Sequence, residues 1–129
     1  MPARLTRAGC ALAVALAAFG TSAAVHAAAS PDDVAAGKKI VFAMKGGNCV
    51  ACHNLPGASM AGNVGPQLGP WVKKVFHTKE DLVHFLYDPQ AKIPHIVMPE
   101  FGKNGMLTQK ELEQVAEYLW SLNDKGERP

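Results

Sequence analysis

Cys49-Val50-Ala51-Cys52-His53 places two thiols and an imidazole within five consecutive residues. That order suits one chemistry above others: both sulfurs can add across the vinyl groups of a porphyrin while the adjoining imidazole ligates its iron. A structural zinc site would need a second ligand pair, and the only other cysteine is Cys10. A redox CxxC of the thioredoxin kind calls for a preceding strand and a βαβ context. The lead-in Gly46-Gly47-Asn48 supplies neither. The motif therefore reads as the attachment point of one covalent haem c, with His53 as an iron ligand.

An iron held by His53 on one face leaves a question on the other. A thioether there raises the potential, and an open position permits small-molecule binding or catalysis. Met44, Met60, Met98 and Met106 are the sulfur candidates, with His77, His84 and His95 as rivals. Met44 falls on the packing face of an expected helix. Met60 is only seven residues from His53, a short path around a macrocycle about 10 Å across at about 3.5 Å of reach per residue. Met98 sits in an apolar, proline-braced stretch, where a loop can approach a cofactor without orphaning helix hydrogen bonds, and is the favoured ligand. The histidines read as surface or packing residues.

A chain of 129 residues has room for one domain. Arg4 and Arg7 precede an apolar run from Ala8 to Phe19, and small residues lead to Val25-His26-Ala27. This reads as an export signal, residues 1–27, cleaved after Ala27, and not as a membrane anchor, because the run is alanine-rich and diluted in its second half. The domain is then 28–129, and Cys49 and Cys52 are its only thiols. Ten lysines and Arg128 balance eleven acids in that part. Haem propionates would add about two negative charges, so nucleic acid is an improbable partner. Lys73, Lys74, Lys92 and Lys103 read as solvated surface, with a face for an acidic partner as the alternative. A hundred residues bury a modest core, and two thioethers with a large apolar macrocycle would add a staple.

The elements that must position the motif are helical. Ser30-Pro31-Asp32-Asp33 has the form of a helix start, and the helix is expected to reach about Lys45, with Val34, Gly37, Ile40, Val41 and Met44 on one face and Gly46-Gly47 ending it. Gly37 lowers helix propensity by about 1 kcal/mol relative to alanine, which makes sense where another backbone passes close by. Residues 54–72, rich in Gly, Pro and Asn, form a long loop; within it Gly65-Pro66 either sets a carbonyl against Nδ1 of His53 or is a plain turn. Thr78 opens a second helix with Leu82, Phe85 and Leu86 inward, ended by Asp88-Pro89. Residues 89–99 are expected to be extended, with Ile93, Ile96, Val97 and Met98 against something apolar. Thr108-Gln109-Lys110-Glu111 is a capping box, and Leu112, Val115, Ala116, Leu119 and Leu122 follow at helical spacing to Asn123.

Taken together, the chain resembles the class I cytochromes c, an all-α fold wrapped around one covalent haem. More narrowly it is similar to the SoxX family, the monohaem subunits of the SoxAX complexes of sulfur-oxidising bacteria. The resemblance is carried by Lys45-Gly46-Gly47-Asn48-Cys49-Val50-Ala51-Cys52-His53, by Gly62-Asn63-Val64-Gly65-Pro66-Gln67-Leu68, and by Val97-Met98-Pro99-Glu100-Phe101-Gly102 leading to Leu107-Thr108 and Glu117-Tyr118-Leu119. It implies Cys49 and Cys52 as thioether anchors, His53 and Met98 as axial ligands, and the Pro66 carbonyl against His53. It also implies a helix crossing at Gly37 and Tyr118, although the twelve residues from Gly37 to Cys49 admit Ala43 instead. SoxAX couples thiosulfate oxidatively to a cysteine of a SoxYZ carrier, with the catalytic haem on the dihaem subunit SoxA. The implied role is to take electrons from a SoxA-like partner and hand them to a soluble cytochrome c in the periplasm, without being catalytic alone. The alternatives are a stand-alone periplasmic monohaem carrier and a haem enzyme or gas sensor with an open distal site.

Overall fold

The computed structural model describes residues 30–122, so the expected export signal lies outside the described residues. Their regular elements are all helical: α1 (Pro31–Phe42), a single 3-10 turn at Cys49–Ala51, α2 (Val72–Val75), α3 (Lys79–Tyr87), α4 (Pro89–Lys92) and α5 (Gln109–Ser121). No described helix is long and apolar enough to cross a membrane. This is the all-α architecture expected of a class I cytochrome c.

The frame is the crossing of α1 on α5, the most extensive contact between elements. Gly37 makes it possible. A Cβ there would stand 1.9 Å from the Gln114 carbonyl oxygen and 3.0 Å from Tyr118 Cβ, so the two backbones meet where only hydrogen fits. The crossing residue is thus Gly37 and not Ala43, which merely caps the helix. Around this point Phe42 and Tyr118 meet edge to face with centroids 6.4 Å apart. Gln114 Nε2 donates to Asp33 Oδ1 at 3.0 Å, and Lys110 Nζ lies 2.9 Å from the same oxygen. The Gln114 hydrogen bond, followed by Lys110, holds the Asp33 carboxyl below its ordinary range. Val41, Leu112 and Val115 beneath are almost fully buried.

The capping box of α5 forms as the sequence indicates. The Glu111 amide donates to Thr108 Oγ1 at 3.3 Å and the Thr108 amide donates to Glu111 Oε2 at 2.8 Å, satisfying two orphan donors of the first turn. We expect Thr108→Ala to cost about 1 kcal/mol in a urea unfolding titration; an unchanged midpoint would show that water replaces the cap at no loss. Leu112, Val115, Ala116, Tyr118 and Leu119 form the buried stripe. Helix α3 also packs against α5 and buries Leu82, Val83 and Leu86, and Thr78 Oγ1 accepts from the Asp81 amide at 3.1 Å. Phe85 is half-buried and tilts against Phe76, centroids 5.2 Å apart.

Three local expectations are corrected. Helix α1 stops at Phe42, short of Lys45, and Ser30 holds the N-cap position without a side-chain capping bond. Met44 therefore lies outside the helix and is 89% exposed, not part of its packing face. The reason is Gly47, where a Cβ would be 2.6 Å from the Ile40 carbonyl oxygen: the chain turns back at residues 43–47, through Gly46 at φ 97°, and settles on the end of α1. Asp88-Pro89 ends α3 but also starts α4, with Asp88 Oδ1 accepting from the Ala91 amide at 3.2 Å and proline at the first position. Only the stretch after Lys92 lacks helix.

Candidate haem-attachment site

Asn48, in left-handed backbone at φ 41° and ψ 43°, swings the chain into the turn that carries the motif. The Cys52 and His53 amides both donate to the Cys49 carbonyl, at 3.2 and 2.8 Å. Positions i, i+3 and i+4 of one helical turn lie on one face. Cys49, Cys52 and His53 therefore project to the same side, two sulfurs beside one imidazole. Both cysteines are half-buried free thiols.

The loop that follows is laced back onto this turn. Gly62, Gly65 and Leu68 donate their amides to the carbonyls of Val50, Cys52 and Asn54 at 2.9, 2.8 and 2.8 Å. Two glycines are needed for so close a return. At Gly62 a Cβ would be 2.0 Å from the Ala51 carbonyl oxygen, and at Gly65 it would be 2.3 Å from His53 Cε1 and 2.6 Å from Nδ1. Gly65 thus lets the loop lie flat on the imidazole, and the next residue fixes the ring: His53 Nδ1 donates to the Pro66 carbonyl at 2.7 Å. With Nδ1 carrying the proton, Nε2 keeps the lone pair, which is the form a metal-ligating imidazole takes. The Trp71 indole NH, donating to the Gln67 carbonyl, pins the end of the loop.

The donor set fits covalent haem and disfavours both rivals. Among the described residues no cluster of three or more His, Cys, Asp or Glu is placed to hold a metal ion, so a zinc site lacks its ligands. Burial pushes the Cys49 thiol up to about 11, whereas a redox-active CxxC works through a lowered pKa. A half-buried thiol pair beside an imidazole suits thioether formation. Large apolar side chains also remain exposed on the two segments assigned to the cofactor: Met60 and Val64 on the loop after His53, Ile93 and Val97 ahead of Met98. These are side chains that a bound apolar macrocycle would cover.

The turn and its loop bring Cys49, Cys52, His53 and Pro66 into one construction, and Met98 comes from a separate segment. Met98 is half-buried against the core, on a stretch braced by Pro94 and Pro99 and bent by His95 at φ 65°. Met60 is 87% exposed and Met106 46%, and His77, His84 and His95 are all exposed. Of the four candidate methionines, Met98 alone is not exposed. What the sequence reading missed is the direct contact of Gly65 with the imidazole; the glycines at 62 and 65, three apart and following the motif, were the available signal. Gly65→Ala is expected to tilt the ring and weaken the Pro66 bond, at about 1–3 kcal/mol. An unchanged Soret band and an unchanged melting midpoint in that variant would show that the loop yields freely.

Residues 34–123 match the Cytochrome c family. An uncharacterized lipoprotein of Aquifex aeolicus (strain VF5) is 34% identical over 86 residues, 63% of this chain and 41% of the relative. The cbb3-type cytochrome c oxidase subunit CcoP of Azospirillum sp. (strain B510) is 30% identical over 112 residues, 78% of this chain and 38% of the relative; the CcoP of Azospirillum brasilense is also 30% identical over 112 residues. The chain thus spans about two fifths of the length of these relatives. With residues 34–123 matched and the Cys49, Cys52 and His53 turn built to take a covalent haem c, the chain belongs to the cytochrome c family.

Proposed function

We propose that this chain is an exported single-haem electron carrier in which Cys49 and Cys52 hold the porphyrin, and His53 Nε2 and the Met98 thioether ligate its iron. The haem supplies one-electron exchange at that iron. The residues do the rest. Pro66 holds the His53 ring in one tautomer and orientation, Gly65 backs it, and Met98 would supply the second ligand and so exclude water and small ligands. Two ligands held fixed by the protein would leave little to rearrange on one-electron exchange, which suits electron transfer over catalysis. The observation that carries this reading is the His53 to Pro66 hydrogen bond at 2.7 Å, which leaves Nε2 free to donate.

More narrowly, we propose a SoxX-like role: accepting electrons from a SoxA-like dihaem partner that couples thiosulfate to a SoxYZ-like carrier, and passing them to a soluble cytochrome c. Support comes from the sequence around Gly62 to Leu68 and Val97 to Gly102, and from a domain after residue 27 whose only thiols are Cys49 and Cys52, so any modified cysteine ligand must come from the partner. The likeness to CcoP favours a second reading, a carrier or module that feeds a terminal oxidase. Native purification of the tagged chain from the periplasm separates them. A co-eluting dihaem cytochrome with thiosulfate-dependent haem reduction is expected for the first. Elution alone, or with oxidase subunits and no response to thiosulfate, contradicts it.

A further inference from the structure

We propose that Lys103 is a positioning residue for Met98: its ammonium closes the loop that presents the thioether by bridging a carboxylate from each of the loop's two ends. The inference rests on the reading of Met98 as an axial ligand. Lys103 Nζ lies 2.9 Å from Asp88 Oδ2 and 3.0 Å from Glu100 Oε1. Asp88 stands where α3 hands over to α4, before the loop, and Glu100 stands two residues after Met98. One cation therefore joins the loop's entrance to its exit across fifteen positions of sequence.

The backbone around Lys103 is arranged for this. Its amide donates to the Tyr87 carbonyl at 3.1 Å, and the Asn104 amide donates to the Glu100 carbonyl at 3.0 Å. Asn104 Nδ2 donates to Glu100 Oε2 at 3.3 Å, so both oxygens of that carboxylate are engaged. Gly102 sits where a Cβ would be 2.1 Å from the Tyr87 ring, which lets the exit segment press on the end of α3, and Phe101 anchors it in the core. On the entrance side Pro89 is fully buried and Lys92 Nζ lies 5.0 Å from the Phe76 ring centroid; beyond α4 the Ile96 amide donates to the Ile93 carbonyl at 3.3 Å. Ile93 and Val97 are 49% and 80% exposed. The stretch from Ile93 to Val97 that leads into Met98 has little packing of its own, and Lys103 ties Asp88, ahead of it, to Glu100, behind it.

Lys103 is 51% exposed, while Asp88 and Glu100 are 20% and 18% exposed. Single exposed pairs contribute little, and a two-carboxylate network somewhat more. Opening of the loop should become between about twofold and fivefold more frequent without the ammonium, a small effect that a ligand-displacement measurement resolves.

The test titrates the purified ferric holoprotein with imidazole, which binds iron only after the thioether leaves. Lys103→Ala and Asp88→Asn, the latter keeping a competent helix cap, should each raise the apparent imidazole affinity between about twofold and fivefold. Lys103→Arg should restore the wild-type value, and Met98→Ala should remove the dependence on Lys103. Unchanged affinity in both Lys103→Ala and Asp88→Asn, with Met98→Ala still binding imidazole far more tightly than wild type, overturns the clasp and leaves the ligand reading standing. Equal affinity in wild type and Met98→Ala overturns both. A loss of thermal stability in Lys103→Ala with no change in imidazole affinity marks a merely structural pair and also overturns the proposal.

Discussion

Valine at position 37 is expected to abolish accumulation of folded holoprotein, and alanine to destabilise it by about 1–3 kcal/mol. The alanine case decides between two opposed effects. Helix propensity alone favours Ala over Gly by about 1 kcal/mol, so a loosely packed position would gain stability. Here the new Cβ would lie 1.9 Å from the Gln114 carbonyl oxygen and 2.5 Å from its carbon. Both belong to backbone within α5, so no rotamer change relieves the overlap. The helices must separate, and separation uncovers Val41, Leu112 and Val115, each at most 1% exposed. Close-packed interiors lose dispersion contacts quickly across even small gaps. Two further methyl groups in valine exceed what the stability of a small domain can absorb. Urea unfolding of Gly37→Ala against wild type reads the sign directly. A gain of about 1 kcal/mol would mean that the helices do not meet as described.

Met98→Ala is expected to produce the largest change at the iron while leaving the haem attached. Loss of the proposed thioether opens the sixth position, so the ferric protein should become high-spin or bind water, take up carbon monoxide when reduced, and lose its thioether-to-iron charge-transfer band. The midpoint potential should fall by on the order of 100 mV or more, within the span of about 0.8 V that axial ligation covers, because a thioether favours the reduced state. Met106→Ala, at an exposed residue, serves as the control and should leave spectrum and potential unchanged. A Met98→Ala protein with the wild-type spectrum would transfer the role to another side chain.

These expectations draw on features that were unevenly legible in the sequence. The attachment motif and the α5 capping box could be read because their chemistry is complete within five residues. The crossing at Gly37 was legible as a glycine out of place in a helix, although its partner came only through family resemblance. The end of α1 was misplaced because Ala43, Met44 and Lys45 are good helix formers. What stops the helix is the need for Gly47 to rest on the Ile40 carbonyl, a tertiary demand that overrides propensity. Helices α2 and α4 are single turns, too short to show periodicity, and Asp88-Pro89 was read as a stop when it is equally a start. Lys103 looked like solvation because its two acids are brought to it only by the folded loop.

Tryptic mass mapping of the exported protein tests the central claim most directly. Cleavage after Lys45 and Lys73 isolates one peptide, residues 46–73, that contains both motif cysteines and His53. The account predicts that this peptide carries the added mass of one haem, absorbs in the Soret region, and resists thiol alkylation. The same peptide at its unmodified mass, colourless and with Cys49 and Cys52 both alkylated, would contradict it.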